Sequence, residues 1–118
     1  MSGHADKRQV ARIQPFVAPC RYVVGAQRVP GFLTDLSRCG GRIHTEVEPP
    51  AMLTPIVVEA RLGRLATRLR LAAAVRWRKP APRGGFLFGL SFDRLGADEQ
   101  AILNEVVEEF HRRAALIE

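Results

Sequence analysis

Cysteine, lysine, histidine and large aromatics are all scarce in this chain, and each scarcity removes a class of function. The two cysteines, Cys20 and Cys39, have neither metal-ligand spacing nor the density of a disulfide-stapled secreted scaffold. The three histidines, His4, His44 and His111, are scattered, so no metal set forms, and Ser37 has no base near it to make it a nucleophile. The sequence therefore argues for no catalytic residues, no metal and no cofactor. No apolar run approaches the ~20 residues that span a bilayer. The first fifteen residues are polar, without the apolar core of a secretory signal. The expectation is a cytoplasmic protein with free thiols and no membrane insertion. Lysine occurs only at Lys7 and Lys79, which leaves sixteen arginines among the eighteen basic residues.

What is present suits one globular domain. At 118 residues, 47% hydrophobic and 25% charged, the chain can bury one real core but not two. The net charge of +6 favours anionic partners. Arginine's planar fork fits phosphate oxygens and guanine edges better than lysine does.

Residues 1–14 carry charge with little periodicity and read as a flexible arm, in which Arg8 and Arg12 would share one side of a local turn. From Pro15 the signals turn to strands. Cys20–Val24 alternates, 25–31 reads as a loop, and Phe32–Leu36 is a second strand running into Gly40 and Gly41. Arg42–Thr45 and Ile56–Arg61 follow, with a turn near Gly63. Leu65–Arg78 is the most patterned stretch: its odd positions, ending at Leu71, Ala73, Val75 and Trp77, form an apolar face. Its even positions are arginine or alanine. Trp77 reads here as core or rim packing first, and its place near the strand's end keeps a stacking platform open as well. After a Pro/Gly loop, Phe86–Phe92 is the last strand, with Gly89 marking a bulge or close approach. Beyond Gly96, Ile102, Leu103, Val106, Val107, Phe110 and Ala114 repeat with helical spacing. Asp98 and Glu99 stand at that helix's start, and Arg112 and Arg113 near its end, the order a helix dipole prefers. The sum is a mainly β fold: a small six-stranded antiparallel barrel over 15–118, closed by a C-terminal amphipathic helix.

One constellation carries chemistry. Asp35 and Ser37, two residues apart at a strand end, would share a face with Leu36 on the other, just before Gly40. By itself this is ordinary turn chemistry. Joined with Arg8-x-x-x-Arg12 upstream, Asp35-x-Ser37-x-x-Gly40 resembles the paired signature of PilZ domains, bacterial receptors for cyclic di-GMP. Val75-Arg76-Trp77, then Phe88-Gly89-Leu90-Ser91-Phe92, then a terminal helix, agree in order. The resemblance runs from about Lys7 to Phe110.

That resemblance implies roles. Arg8 and Arg12 would hold the phosphates and guanine edges of cyclic di-GMP, Asp35 and Ser37 would hydrogen-bond a guanine, and Gly40 would admit a close backbone. Lys7, Gly41, Trp77 and Gly89 stand as secondary contacts. The chemistry is coherent: guanine offers O6 and N7 to a guanidinium and N–H donors to a carboxylate. The implied device is a non-catalytic signalling receptor whose arm rearranges on binding and alters contact with a downstream protein. An alternative of a different class uses the segment 61–83, with eight basic residues and no acidic one, as a nucleic-acid-binding or protein-adaptor face.

Overall fold

The computed structural model describes residues 18–62 and 67–117, and the arm positions Lys7, Arg8 and Arg12 lie outside them. Six strands, β1 (Ala18–Val24), β2 (Gln27–Leu36), β3 (Gly40–Thr45), β4 (Pro55–Leu62), β5 (Thr67–Pro80) and β6 (Phe86–Phe92), precede one helix, α1 (Ala97–Ile117). The strands close into an antiparallel barrel in the order β1-β2-β3-β6-β5-β4, so every strand has a paired neighbour on both sides over at least part of its length.

Alternation fixes which side chains fill the barrel. Cys20 and Tyr22 of β1, Ile56, Val58 and Ala60 of β4, and Leu69, Leu71, Ala73 and Val75 of β5 all point inward. Tyr22 meets Phe88 edge to face at 5.0 Å between centroids, and its hydroxyl hydrogen-bonds the buried Thr45 Oγ1 at 2.9 Å. The one polar group that β1 carries inside is thus satisfied. Helix α1 adds Leu103, Val106 and Val107 to the same core. At its start the Gly96 N–H donates to Glu99 Oε1 at 3.1 Å, satisfying a donor the first turn would leave open.

Two expectations need correcting. The segment read as a loop at 25–31 is a two-residue turn, Gly25–Ala26, followed by strand: β2 pairs with β1 from Val24↔Gln27 through Ala18↔Leu33. Gly25, at φ 60°, takes the first turn position that short hairpins give to glycine. Pro30 is tolerated because pairing with β3 begins only at Phe32↔His44, so that stretch of β2 is open on one side. The helix also runs on to Ile117, so Arg112 does not stand in its last turn, and the expected basic terminus is absent.

Candidate functional site

Two bulges turn the site residues outward. Pairing of β2 with β3 steps from Leu33↔Ile43 to Asp35↔Arg42, leaving Thr34 as the extra residue. Strict alternation from the buried Leu33 would send Asp35 into the core and Leu36 out. With the bulge, Leu36 is buried and Asp35 exposed. Thr34 secures the kink: its Oγ1 donates to the Arg42 carbonyl at 3.3 Å and accepts from Arg42 Nε at 3.0 Å. The second bulge lies between Val75↔Leu90 and Trp77↔Gly89, with Arg76 extra. It moves Trp77 from the inward face, where the odd-position pattern placed it, to the surface, 39% exposed.

One row of residues now crosses four strands: Asp35 of β2, Arg42 of β3, Gly89 of β6 and Trp77 of β5. Gly89 is the gap in that row. A Cβ there would overlap the Trp77 indole, so the missing side chain is what lets the ring lie across β6. Lys79 Nζ sits 5.6 Å from the Trp77 ring centroid, adding a cation near the indole.

The end of the site is the turn joining β2 to β3. The Ser37 N–H donates to the Gly40 carbonyl at 2.8 Å. Ser37 Oγ accepts from the Cys39 and Gly40 N–H groups, both at 3.2 Å, and lies 3.3 Å from the Gly40 carbonyl oxygen as a donor. The hydroxyl expected to face a ligand is therefore spent on shaping the turn. Gly40 is needed for close approach rather than positive φ: a Cβ would overlap the Leu90 carbonyl oxygen on β6. Gly41 is similarly tight, its would-be Cβ 2.8 Å from the Asp35 carbonyl oxygen. The turn is tied to β6 by the Phe92 N–H, which donates to the Cys39 carbonyl at 2.8 Å.

Asp35, Ser37, Gly40, Gly41 and Trp77 line one open cleft of about 350 Å³, with Arg42, Cys39, Leu90 and Ser91 completing the wall. Gly89 floors the row beneath the indole. Asp35 Oδ1 accepts the Leu36 N–H at 2.9 Å. Its second oxygen, like the terminal nitrogens of Arg42, has no partner among the described residues. The cleft thus presents a carboxylate acceptor, a guanidinium donor and an indole face on a rigid sheet, which suits a planar, hydrogen-bonding anion. Sequence reading found most of this set but missed Arg42, which only the register places beside Asp35. Among the described residues, no group of three or more His, Cys, Asp or Glu side chains could hold a metal, and no helix is long and apolar enough to cross a membrane.

Comparison with known proteins agrees with this architecture. No curated protein matches the sequence. Among solved structures, the Bacillus subtilis inhibitor of motility (MotI/DgrA) superposes with a TM-score of 0.72 at 13% identity, over 87% of this chain and 49% of that one. The chain therefore spans about half the length of that protein. The PilZ domain of YcgR from Escherichia coli, solved with c-di-GMP, superposes with a TM-score of 0.64 at 14% identity, over 85% of this chain and 86% of that one. At such identities the likeness establishes the barrel fold. The sequence profile of the PilZ domain matches residues 6–109, nearly the whole chain, and the protein belongs to the PilZ domain family.

Proposed function

We propose that this protein is a non-catalytic receptor for cyclic di-GMP, with the β2–β3–β6 cleft as the fixed half of its site and residues 1–14 as the moving half. The observation that carries the reading is the outward row Asp35–Arg42–Gly89–Trp77 beside the Ser37–Gly40 turn, in a family whose YcgR member was solved with that dinucleotide. Asp35 accepts the N–H edge of one guanine, and Trp77 offers a face on which a base stacks. Ser37 and Gly40 hold the turn to which the ligand docks, and Gly41 keeps that backbone low. Arg8 and Arg12, with Lys7 beside them, supply the phosphate and guanine-edge donors from the arm. Closing the arm over the ligand costs ordering entropy and creates a new surface, which a downstream protein partner reads. The setting is the bacterial cytoplasm.

Calorimetric titration with cyclic di-GMP tests this directly. Arg8→Ala or Arg12→Ala should weaken binding at least tenfold, about 1.4 kcal/mol, with the melting temperature unchanged. Asp35→Ala should weaken it as well and reduce the preference for guanine over adenine dinucleotides. Wild-type affinity in all three variants would overturn the assignment.

A further inference from the structure

On the far side of the barrel the outer surface carries a charge imbalance that the cleft does not explain. Away from the Trp77 end of β5, where Arg78 is paired with Glu48 and Lys79 sits by the indole, strands β1, β4 and β5 hold one carboxylate, Glu59, against Arg21, Arg61, Arg68 and Arg70. Glu59 is already committed. Its Oε1 accepts Arg28 Nε at 3.0 Å and its Oε2 accepts Arg70 Nε at 2.9 Å. Arg21 stands opposite Glu59 in the β1–β4 register, yet forms no ion pair with it. Arg61 and Arg68 stand directly opposite each other, an in-register like-charge pair that costs a sheet stability unless an anion lies between them. Arg21, Arg61 and Arg68 have no acidic partner among the described residues.

The same three guanidiniums line a second open cleft of about 360 Å³, floored by Cys20 and Ala60, edged by Pro19, and shared with the Glu59 carboxylate that Arg28 and Arg70 already hold. Pro19 pairs with Phe32 across β1–β2, and Phe32 is 48% exposed although its neighbour Leu33 is buried. An exposed aromatic ring therefore stands on the strand next to the cleft's Pro19 edge, with Pro19 between it and the cluster of unpaired planar cations. That pairing of groups is what an unstructured phosphodiester strand needs: forks for the phosphates and a face for a base.

We propose that Arg21, Arg61 and Arg68, with Phe32 at the edge, form a second binding site that takes a short stretch of single-stranded nucleic acid. The site is separate from the cyclic di-GMP cleft. The two share β5, where Arg68 and Trp77 stand nine residues apart, about 30 Å along an extended strand, and meet on β2 only through Phe32, three residues before Asp35. An acidic protein segment would satisfy the charges but has no use for the aromatic edge, which is why nucleic acid is favoured.

The test is fluorescence anisotropy with a labelled oligothymidylate of about ten nucleotides, within the range one small barrel covers. Three phosphates neutralised on a single strand give a log–log salt slope of about −2, so affinity should fall about 20-fold between roughly 50 and 200 mM salt. Arg61→Ala/Arg68→Ala should flatten that slope by about 1.4. Phe32→Ala should weaken binding at every salt concentration without changing the slope. All these positions are exposed, and thermal melts of the variants will show the barrel intact. Cyclic di-GMP titration of Arg61→Ala/Arg68→Ala should match wild type, so the two sites succeed or fail separately. Equal binding of poly-glutamate with no effect of Phe32→Ala would overturn the proposal in favour of an acidic protein partner. Binding indifferent to Arg61 and Arg68 would overturn it outright.

Discussion

Gly89→Ala is the sharpest probe of the cleft, because one methyl group opposes one ring. A Cβ at position 89 would overlap the Trp77 Nε1, Cε2 and Cδ1 atoms, which belong to a rigid plane and must move together. Gly89 has no positive φ, so alanine carries no backbone penalty there and the whole effect must come from the indole. A tryptophan side chain presents up to about 250 Å². With 39% exposed, roughly 150 Å² of it is covered. Swinging it off β6 would uncover about 100 Å² of that, a cost of about 2.5 kcal/mol at 25 cal/mol per Å². For 118 residues the unfolding entropy is about 0.25 kcal/mol per kelvin, so the melting temperature should drop by about 10 °C. Loss of a stacking face should weaken cyclic di-GMP binding by a further 1–3 kcal/mol, roughly 5- to 150-fold. Thermal melts and calorimetry of Gly89→Ala, Trp77→Ala and the double variant form a cycle. With the indole gone, the added methyl should cost almost nothing. Additive losses in the double variant would show that the ring does not lie over Gly89, and the stacking role would fall with it.

The thiols offer a second check: burial pushes Cys20 up to about 12, against a weaker opposing hydrogen bond from the Leu33 backbone, while Cys39 is exposed in the cleft wall. Iodoacetamide at mildly alkaline pH should label Cys39 alone in the native protein, and bound cyclic di-GMP should slow that labelling; early modification of Cys20 would contradict the closed barrel. Hydrogen bonds from Arg28 and then Arg70 hold the Glu59 carboxyl below its ordinary value. Its contribution to stability is therefore complete above the unfolded carboxyl's pKa near 4.3 and is lost as pH falls through the lower folded value. Glu59→Gln should flatten the acid side of a melting-temperature profile, and an unchanged profile would refute the ion-pair reading. Tyr22→Phe keeps the ring against Phe88 but leaves the buried Thr45 hydroxyl with only a long 3.5 Å contact from the Val47 N–H. Urea unfolding should show a loss of about 1–2 kcal/mol, and an unmoved midpoint would mean water reaches Thr45.

Much of the barrel was legible because alternation is a local signal. Leu69, Leu71, Ala73 and Val75 point inward as their spacing demands, and the helix announces itself through Leu103, Val106 and Val107. What escaped depends on neighbours distant in sequence. Arg28, Pro30 and Gly31 look like turn residues, and only pairing with β1 makes them strand. Nothing near Thr34 marks a bulge, and the one at Arg76 is signalled only by Gly89 on the facing strand, since a bulge is a mismatch between two strands rather than a property of one. For the same reason Arg42 is an unremarked arginine until the register sets it beside Asp35. The two-residue period puts Asp35 and Ser37 on one outer face, and they occupy it, although the Thr34 bulge rather than simple alternation brings Asp35 there.

Those bulges also set a limit on how the chain can change length. At Thr34 and Arg76 the inside–outside frame of the strand slips by one, so the core and the cleft are written in different frames of the same strands. Removing either extra residue would make Leu33↔Ile43 and Asp35↔Arg42, or Val75↔Leu90 and Trp77↔Gly89, consecutive pairs of a regular strand, so Asp35 and Trp77 would stay outward and Leu36 inward. Loss of Thr34 would instead be felt at Arg42, whose Nε it holds. One residue added or lost elsewhere in β2 or β5 acts like a frameshift that sets core and cleft out of step, whereas length changes in the 46–54 connection leave both frames intact.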